Sequence, residues 1–317
     1  MMMSSPYRIQ SILVATDLTA NSDAAVRSAA DLALAASAEL HVIHAHEESW
    51  AISSESRDLL KVQQEVHDKR RNLLKSLQDS LPAGVKLASS RAEIGVAADV
   101  IVEAATSAKA GIVVLGAHRN RGIADRYLGS TAERILGELR VPCLLVNAPL
   151  HLPIRNILIP SDFSEPSRQA VRAAFEFAGT VSSEGATLTL AHVLDTPDLS
   201  AAESWKENDL IHELRLIARR ASTDAGVDLP FDVEILPGSD PAESLMRRAE
   251  DSGADMIVMG THGDGILVRA LLSSVTSTLV RRSSTPIMLV PRVADPIAEA
   301  EGDQDGEVVP IAPIISG

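Results

Sequence analysis

Two aspartates and two glycine-spaced loops carry the chemistry this sequence offers. Asp17 follows the apolar run ILVAT and Asp162 follows ILIPS, and each leads into a polar turn. A carboxylate there can accept hydrogen bonds from a ligand's hydroxyl groups, or it can cap the turn behind it. Residues 116 to 131 read GAHRNRGIADRYLGST, and residues 260 to 275 read GTHGDGILVRALLSSV. Gly116 and Gly122 can shape the first loop, while Gly129, Ser130 and Thr131 would open the next helix with donors for an anion. The same residues can make a tight connection, with Ser130 as a plain helix cap. Neither loop is a P-loop, because the lysine that follows the glycines of that motif is absent, and no early segment gives GxGxxG. His118 and His262 stand two residues past the first glycine of each loop, within reach of a phosphate bound there. His44 and His192 lie inside strand-like runs, the setting of a satisfied core imidazole. No HExxH, paired-cysteine or nucleophile-elbow pattern accompanies them.

These residues recur because the chain is written twice. Asp17 and Asp162, Gly116 and Gly260, and Pro142 and Pro286 are 145, 144 and 144 residues apart. A period this long means two complete domains rather than a solenoid. The first copy predicts a strand SILVAT (11–16), then a helix capped by Asn21 or Ser22 that buries Ala25, Ala29, Leu32 and Ala36. A strand LHVIHA (40–45), a charged amphipathic helix from Glu55 to Leu77 and a weaker strand VKLAS (85–89) follow. A helix over 97–107, strand IVVLG (112–116), a helix over 130–139 and strand CLLVN (143–147) complete the unit. The second copy repeats the order, with strands at 156–161, 187–193, 231–236, 256–260 and 286–291. Alternation of strands and helices predicts an α/β fold with mostly parallel sheets, and the apolar strands suit burial on both faces. Domains are expected at 8–148 and 154–292, joined near NAPLHLPIR (147–155). Residues 293–317, acidic and rich in proline and glycine, are expected to be weakly ordered.

Bulk composition narrows the function. A net charge of −14 opposes nonspecific nucleic-acid binding, and Lys69, Arg70 and Arg71 sit among acids on a mixed-charge helix, the pattern of a solvated face. The lone Cys143 supports neither a disulfide framework nor a cysteine metal site. The start, MMMSSPYRIQ, has no secretory pattern, and no apolar run approaches the roughly 18 residues that span a membrane. A cytoplasmic protein without membrane insertion is expected.

On these residues the chain resembles a tandem universal stress protein, two such domains fused head to tail over residues 8 to 292. In that family an aspartate ends the first strand, a loop G-x2-G-x9-G-S/T follows the fourth, and a VP or CP dipeptide introduces the fifth. The resemblance implies two Rossmann-like domains of the adenine nucleotide alpha hydrolase-like type, each a mostly parallel five-stranded sheet flanked by helices. It places Asp17 at the nucleoside and Gly116, Gly129 and Ser130 at the phosphates. Arg119 stands at the second glycine of the motif, where it blocks the loop or reaches a phosphate. Ala15 replaces a frequent proline, and Ala45 lies where the base packs. In the second copy Pro160, Asp162 and Val193 fit the base end, and Gly260 with Gly263 restores the first half of the loop. There Ser273-Ser274 stands in place of Gly-Ser. If the missing glycine served a positive φ or a close approach, Ser273 weakens phosphate binding; if the helix starts normally, Ser273 and Ser274 can still donate.

The resemblance further implies ATP and a role as a nucleotide-responsive regulator or adaptor in the stress response; Mg²⁺ could bridge the nucleotide phosphates and Asp17 or Asp162, but the sequence supplies no dedicated cage for it. Any ATPase activity is expected to be slow, and whether the chain is an enzyme stays open at this point. The alternative is a ligand-free scaffold acting through dimerisation and protein partners. The two domains are expected to pair through their fifth strands as a pseudo-dimer, with a homodimer of chains possible beyond that.

Overall fold

The central strands of this chain are apolar at nearly every position, so each must be covered on both faces, and helices supply the cover. The computed structural model describes residues 9–46, 56–116, 130–182, 185–194, 204–261 and 272–292. The first half runs β1 (Ser11–Ala15), α1 (Ala20–Ala35), β2 (Glu39–His46), α2 (Ser56–Ser80), β3 (Lys86–Ile94), α3 (Ala97–Ser107), β4 (Ile112–Gly116), α4 (Ser130–Glu138) and β5 (Cys143–Val146). The second half repeats it as β6 (Asn156–Pro160), α5 (Glu165–Val181), β7 (Thr187–Leu194), α6 (Ser204–Ala225), β8 (Phe231–Pro237), α7 (Pro241–Ser252), β9 (Met256–Gly260), α8 (Ser274–Arg282) and β10 (Ile287–Val290).

All ten strands form one sheet in the order β3-β2-β1-β4-β5-β10-β9-β6-β7-β8. Pairing within each half is parallel. The halves meet where β5 and β10 pair antiparallel, with Leu145 opposite Ile287, Leu144 opposite Met288 and Cys143 opposite Leu289. The fifth strands therefore join the two halves, as the resemblance implied. Asn147 ties the seam from the side, its amide donating to the carbonyls of Ser283 at 3.2 Å and Thr285 at 3.3 Å.

Strand alternation sorts the core into two layers. Ile12, Val14, Val114, Leu144, Met288 and Val258 point to one face, with buried residues of α1, α2, α5 and α6. Leu13, Val113, Cys143, Leu145, Ile287 and Leu289 point to the other, with those of α3, α4, α7 and α8. Both layers run through the seam without a break. The connection expected near 147–155 is packed rather than exposed, because Leu150 and Ile154 are buried and Leu150 N–H donates to Ser28 Oγ at 3.0 Å.

Two local expectations need correction. Helix α1 starts at Ala20, ahead of both Asn21 and Ser22, so neither is its cap. Ser22 instead turns its hydroxyl back to the Thr19 carbonyl at 3.0 Å. Strand β3 extends to Ile94, well past the expected 89, because SSRAE is half-buried along the sheet edge and shows no apolar alternation.

Candidate functional site: the strand-end crevices

In each half the first strand lies between the second and the fourth, so the connections leaving β1 and β4, and β6 and β9, diverge to opposite faces. Such a reversal leaves a crevice beyond the carboxyl ends of the two strands, the place where open α/β sheets take ligands.

The two crevices share a turn. Asp17 Oδ1 accepts from the backbone N–H of Thr19 at 2.9 Å and from its hydroxyl at 2.8 Å. Asp162 Oδ1 accepts the equivalent pair from Ser164, N–H at 3.1 Å and hydroxyl. The residue between adopts a left-handed backbone in both halves, Leu18 at φ 62° and Phe163 at φ 66°. That conformation is unfavourable for a branched or bulky side chain and persists only where neighbours fix it. The fixing is visible. Thr16 Oγ1 accepts from Leu18 N–H at 3.0 Å and meets Ser22 Oγ at 2.8 Å. Ser161 Oγ accepts from Phe163 N–H and meets Ser167 Oγ, both at 3.3 Å. Each turn is thus held from inside the fold while its aspartate stands exposed at the strand end.

His44 and His192 belong to this support. Each Nδ1 bonds a backbone carbonyl, Thr16 O at 2.9 Å and Ser161 O at 2.8 Å, which fixes the proton on Nδ1. Burial pushes the His44 imidazole below its ordinary range. His192 packs against Phe163 with ring centroids 4.7 Å apart.

At the second crevice a cavity of about 320 Å³ opens between β6, β7, β9 and the starts of α7 and α8. The structure brings Pro160, Asp162, Val193, Gly260 and Ser273 together in its lining. Ser274 is exposed as the first residue of α8 and does not line it. Sequence reasoning missed the wall from α7, Pro241 and Leu245, and also Met259, Val275 and Thr276. The Asp-Pro pair that starts α7 was the available signal, since it marks a helix start beside a strand end.

The glycine slot has a packing reason here. A Cβ on Gly260 would lie 2.9 Å from the carbonyl oxygen of Pro166, so glycine is what lets α5 start against the end of β9. Ser273 does not occupy a backbone that needs glycine: its φ is −64°. It is the N-cap of α8, its hydroxyl accepting from Thr276 N–H at 3.1 Å and lying 2.8 Å from Thr276 Oγ1. Asp240 caps α7 in the same way, accepting from Ala242 N–H at 3.0 Å and Glu243 N–H at 3.3 Å.

In the first half Ala15, Asp17, Ala45 and Gly116 lie at or just beyond the ends of β1, β2 and β4, and Ser130 and Thr131 open α4. Ala15 and Ala45 pack on the core layer of α3 and α4, the same face as Val193 in the second half. The N-cap of α3 is Val96, which makes no side-chain bond and is 50% exposed. Lys69 reaches the rim, donating to His46 Nδ1 at 3.1 Å. Arg119, Gly122, Gly129 and Gly263, with His118 and His262, lie outside the described residues.

Comparison with known proteins agrees with this duplication. The universal stress protein family matches residues 8–147 and again residues 153–291. The chain belongs to the universal stress protein family. A universal stress protein from Mycolicibacterium smegmatis is 28% identical over 296 residues, 88% of this chain and 96% of that one. Universal stress protein MJ0577 from Methanocaldococcus jannaschii is 29% identical over 157 residues, 44% of this chain and 95% of its own. Among solved structures, a universal stress protein from Archaeoglobus fulgidus superposes with a TM-score of 0.63 at 19% identity, covering 90% of this chain and 99% of that one. Among the described residues of this universal stress protein, no helix is long and apolar enough to cross a membrane.

Proposed function

We propose that this tandem universal stress protein binds ATP at one or both strand-end crevices and acts as a nucleotide-responsive regulator or adaptor. The observation that carries the reading is the cavity at the β6–β9 divergence. It joins an exposed carboxylate, Asp162, to an apolar floor that includes Pro160 and Val193 and to the start of a helix. A carboxylate can accept from ribose hydroxyls, the floor can cover a base, and Ser130 and Thr131 at the start of α4 can meet phosphates in the first half. Any Mg²⁺ that arrived with the triphosphate would be held by Asp17 or Asp162 and would supply charge neutralisation for the phosphates. Binding would change the surface around the strand ends that a partner protein reads.

A ligand-free scaffold is the competing reading, and one observation favours it. Asp17, Asp162, Gly260 and Ser273 all have structural duties that need no nucleotide. The deciding experiment is a nucleotide inventory of the freshly purified, unsupplemented chain, followed by titration with ATP and Mg²⁺. Retained or saturable ATP supports the nucleotide reading, and a mixture of ATP and ADP directs attention to slow turnover. An empty preparation that also fails to titrate leaves the scaffold.

A further inference from the structure

The helix starts that border the second crevice already carry acceptors. Ser273 Oγ takes the Thr276 N–H of α8. Thr276 Oγ1 reaches the Gly260 carbonyl at 3.4 Å, so cap, helix and strand end are linked by one chain of hydrogen bonds. At α7, Asp240 takes two amides in the turn that presents Pro241 to the cavity. An anion gains from a helix start through its unpaired amides, and the amides of Thr276 at α8 and of Ala242 and Glu243 at α7 are taken by the protein's own oxygens.

Charge acts in the same direction. The described lining contains no lysine or arginine; its one formal charge is the carboxylate of Asp162, and the Asp240 carboxylate stands next to lining residue Pro241. A polyphosphate entering here would meet the Asp162 carboxylate, with Asp240 beside the lining, and no cation among the described lining residues, in a cleft where such repulsion is less screened than in bulk water. An uncharged ligand meets no such penalty. It would place hydroxyls on Asp162 and an apolar ring system against Pro160, Val193 and Leu245.

We propose that the second crevice is a site for an uncharged nucleoside and discriminates against nucleoside polyphosphates, with Ser273 as the residue that sets this preference. The inference rests on the nucleotide reading above and goes beyond it in assigning the two crevices different ligand classes. At the corresponding positions of the first half, Val96 makes no side-chain cap and Gly129 has no side chain to cap with. The obstacle built into the second crevice therefore has no counterpart among those two residues.

The test is calorimetric titration of the full chain with adenosine and, separately, with ATP and Mg²⁺. Adenosine is expected to fill about two sites and ATP about one, with ATP at least about tenfold weaker than adenosine at the second crevice. Asp162→Asn should remove one adenosine site and leave the ATP site. Ser273→Gly, which keeps a residue tolerated at an N-cap, and Ser273→Ala should each raise ATP binding toward two sites. Two ATP sites in the unaltered chain, one of them lost in Asp162→Asn, would overturn the inference and leave the nucleotide reading standing. ATP staying at one site in both Ser273 variants would also overturn it. Failure of both adenosine and ATP to bind anywhere removes the nucleotide reading itself.

Discussion

The two halves share a turn and differ at the helix starts. After β1 and after β6 the chain builds the same device: a hydroxyl, an aspartate, a left-handed residue and a second hydroxyl, tied to a helix serine and a strand histidine. The chemistry of the parts has drifted, threonine to serine and leucine to phenylalanine, and the geometry has not. At the start of the third helix of each half the reverse holds. The helices α3 and α7 coincide in place, but a valine precedes one and a capping aspartate the other. The lesson is that a turn whose left-handed backbone must be fixed tolerates only equivalent replacements, whereas a helix start can be capped or left open. Ligand preference can diverge there without disturbing the fold.

That comparison can be broken most forcefully at Gly260. Gly260→Ala places a methyl group against the Pro166 carbonyl and should cost about 1–3 kcal/mol through strain at the β9–α5 contact. Urea denaturation measures the loss. Ligand binding confined to the first crevice should survive while the second is distorted, and equal damage to both crevices would show that they are not independent.

A cap exchange sharpens the comparison with a smaller effect. Asp240→Val should destabilise the chain by about 1 kcal/mol, since it leaves the Ala242 and Glu243 amides without their acceptor. Val96→Asp should stabilise it by about 0.5–1 kcal/mol by capping α3 and removing an exposed apolar side chain. Matching changes of opposite sign in the denaturation midpoint are the expected result. The same sign in both would mean that the Val96 backbone cannot present a cap.

The smallest effect is a pH dependence centred on the first half. Burial holds the folded His44 below its ordinary pKa, with nearby Lys69 and His46 adding to the shift and the Thr16 carbonyl and Asp17 opposing it. The unfolded chain then binds the proton more readily, so stability falls as pH drops through the ordinary imidazole range near about 6.5. Burial lowers His41 on the same strand as well. Hydrogen exchange of β1–β2 peptides should accelerate relative to β6–β7 on mild acidification, and His44→Gln should blunt the difference. Equal acceleration in both halves would remove this contrast.

Much of the architecture was legible because it is written in alternation and repetition. The repeat of Asp17 as Asp162 and of Gly116 as Gly260 marks corresponding strand ends in the two halves, and apolar strands such as IVVLG and MIVMG name their own positions. The turn network was not legible: nothing in TDLT or SDFS signals that Leu18 and Phe163 take left-handed backbones, since this depends on contacts with Ser22, Ser167 and the strand histidines. The role of Ser273 was legible only as a departure from Gly-Ser. Whether it disturbs the backbone or caps a helix is a question of φ and hydrogen bonding, which the residue type leaves open. Edge strand β3 was read too short because half-exposed positions follow no apolar period.

The antiparallel seam between β5 and β10 has a further consequence. Strands of the two halves run in opposite senses, so the mouth beyond β1 and β4 and the mouth beyond β6 and β9 open from opposite poles of the ten-stranded sheet. No flat partner surface can cover both mouths of one chain at once. A protein that senses both must reach around the sheet or arrive as two copies, one at each pole. The molecule is in this sense a two-ended connector, and any signal from one pole to the other must pass through the two core layers that cross the seam.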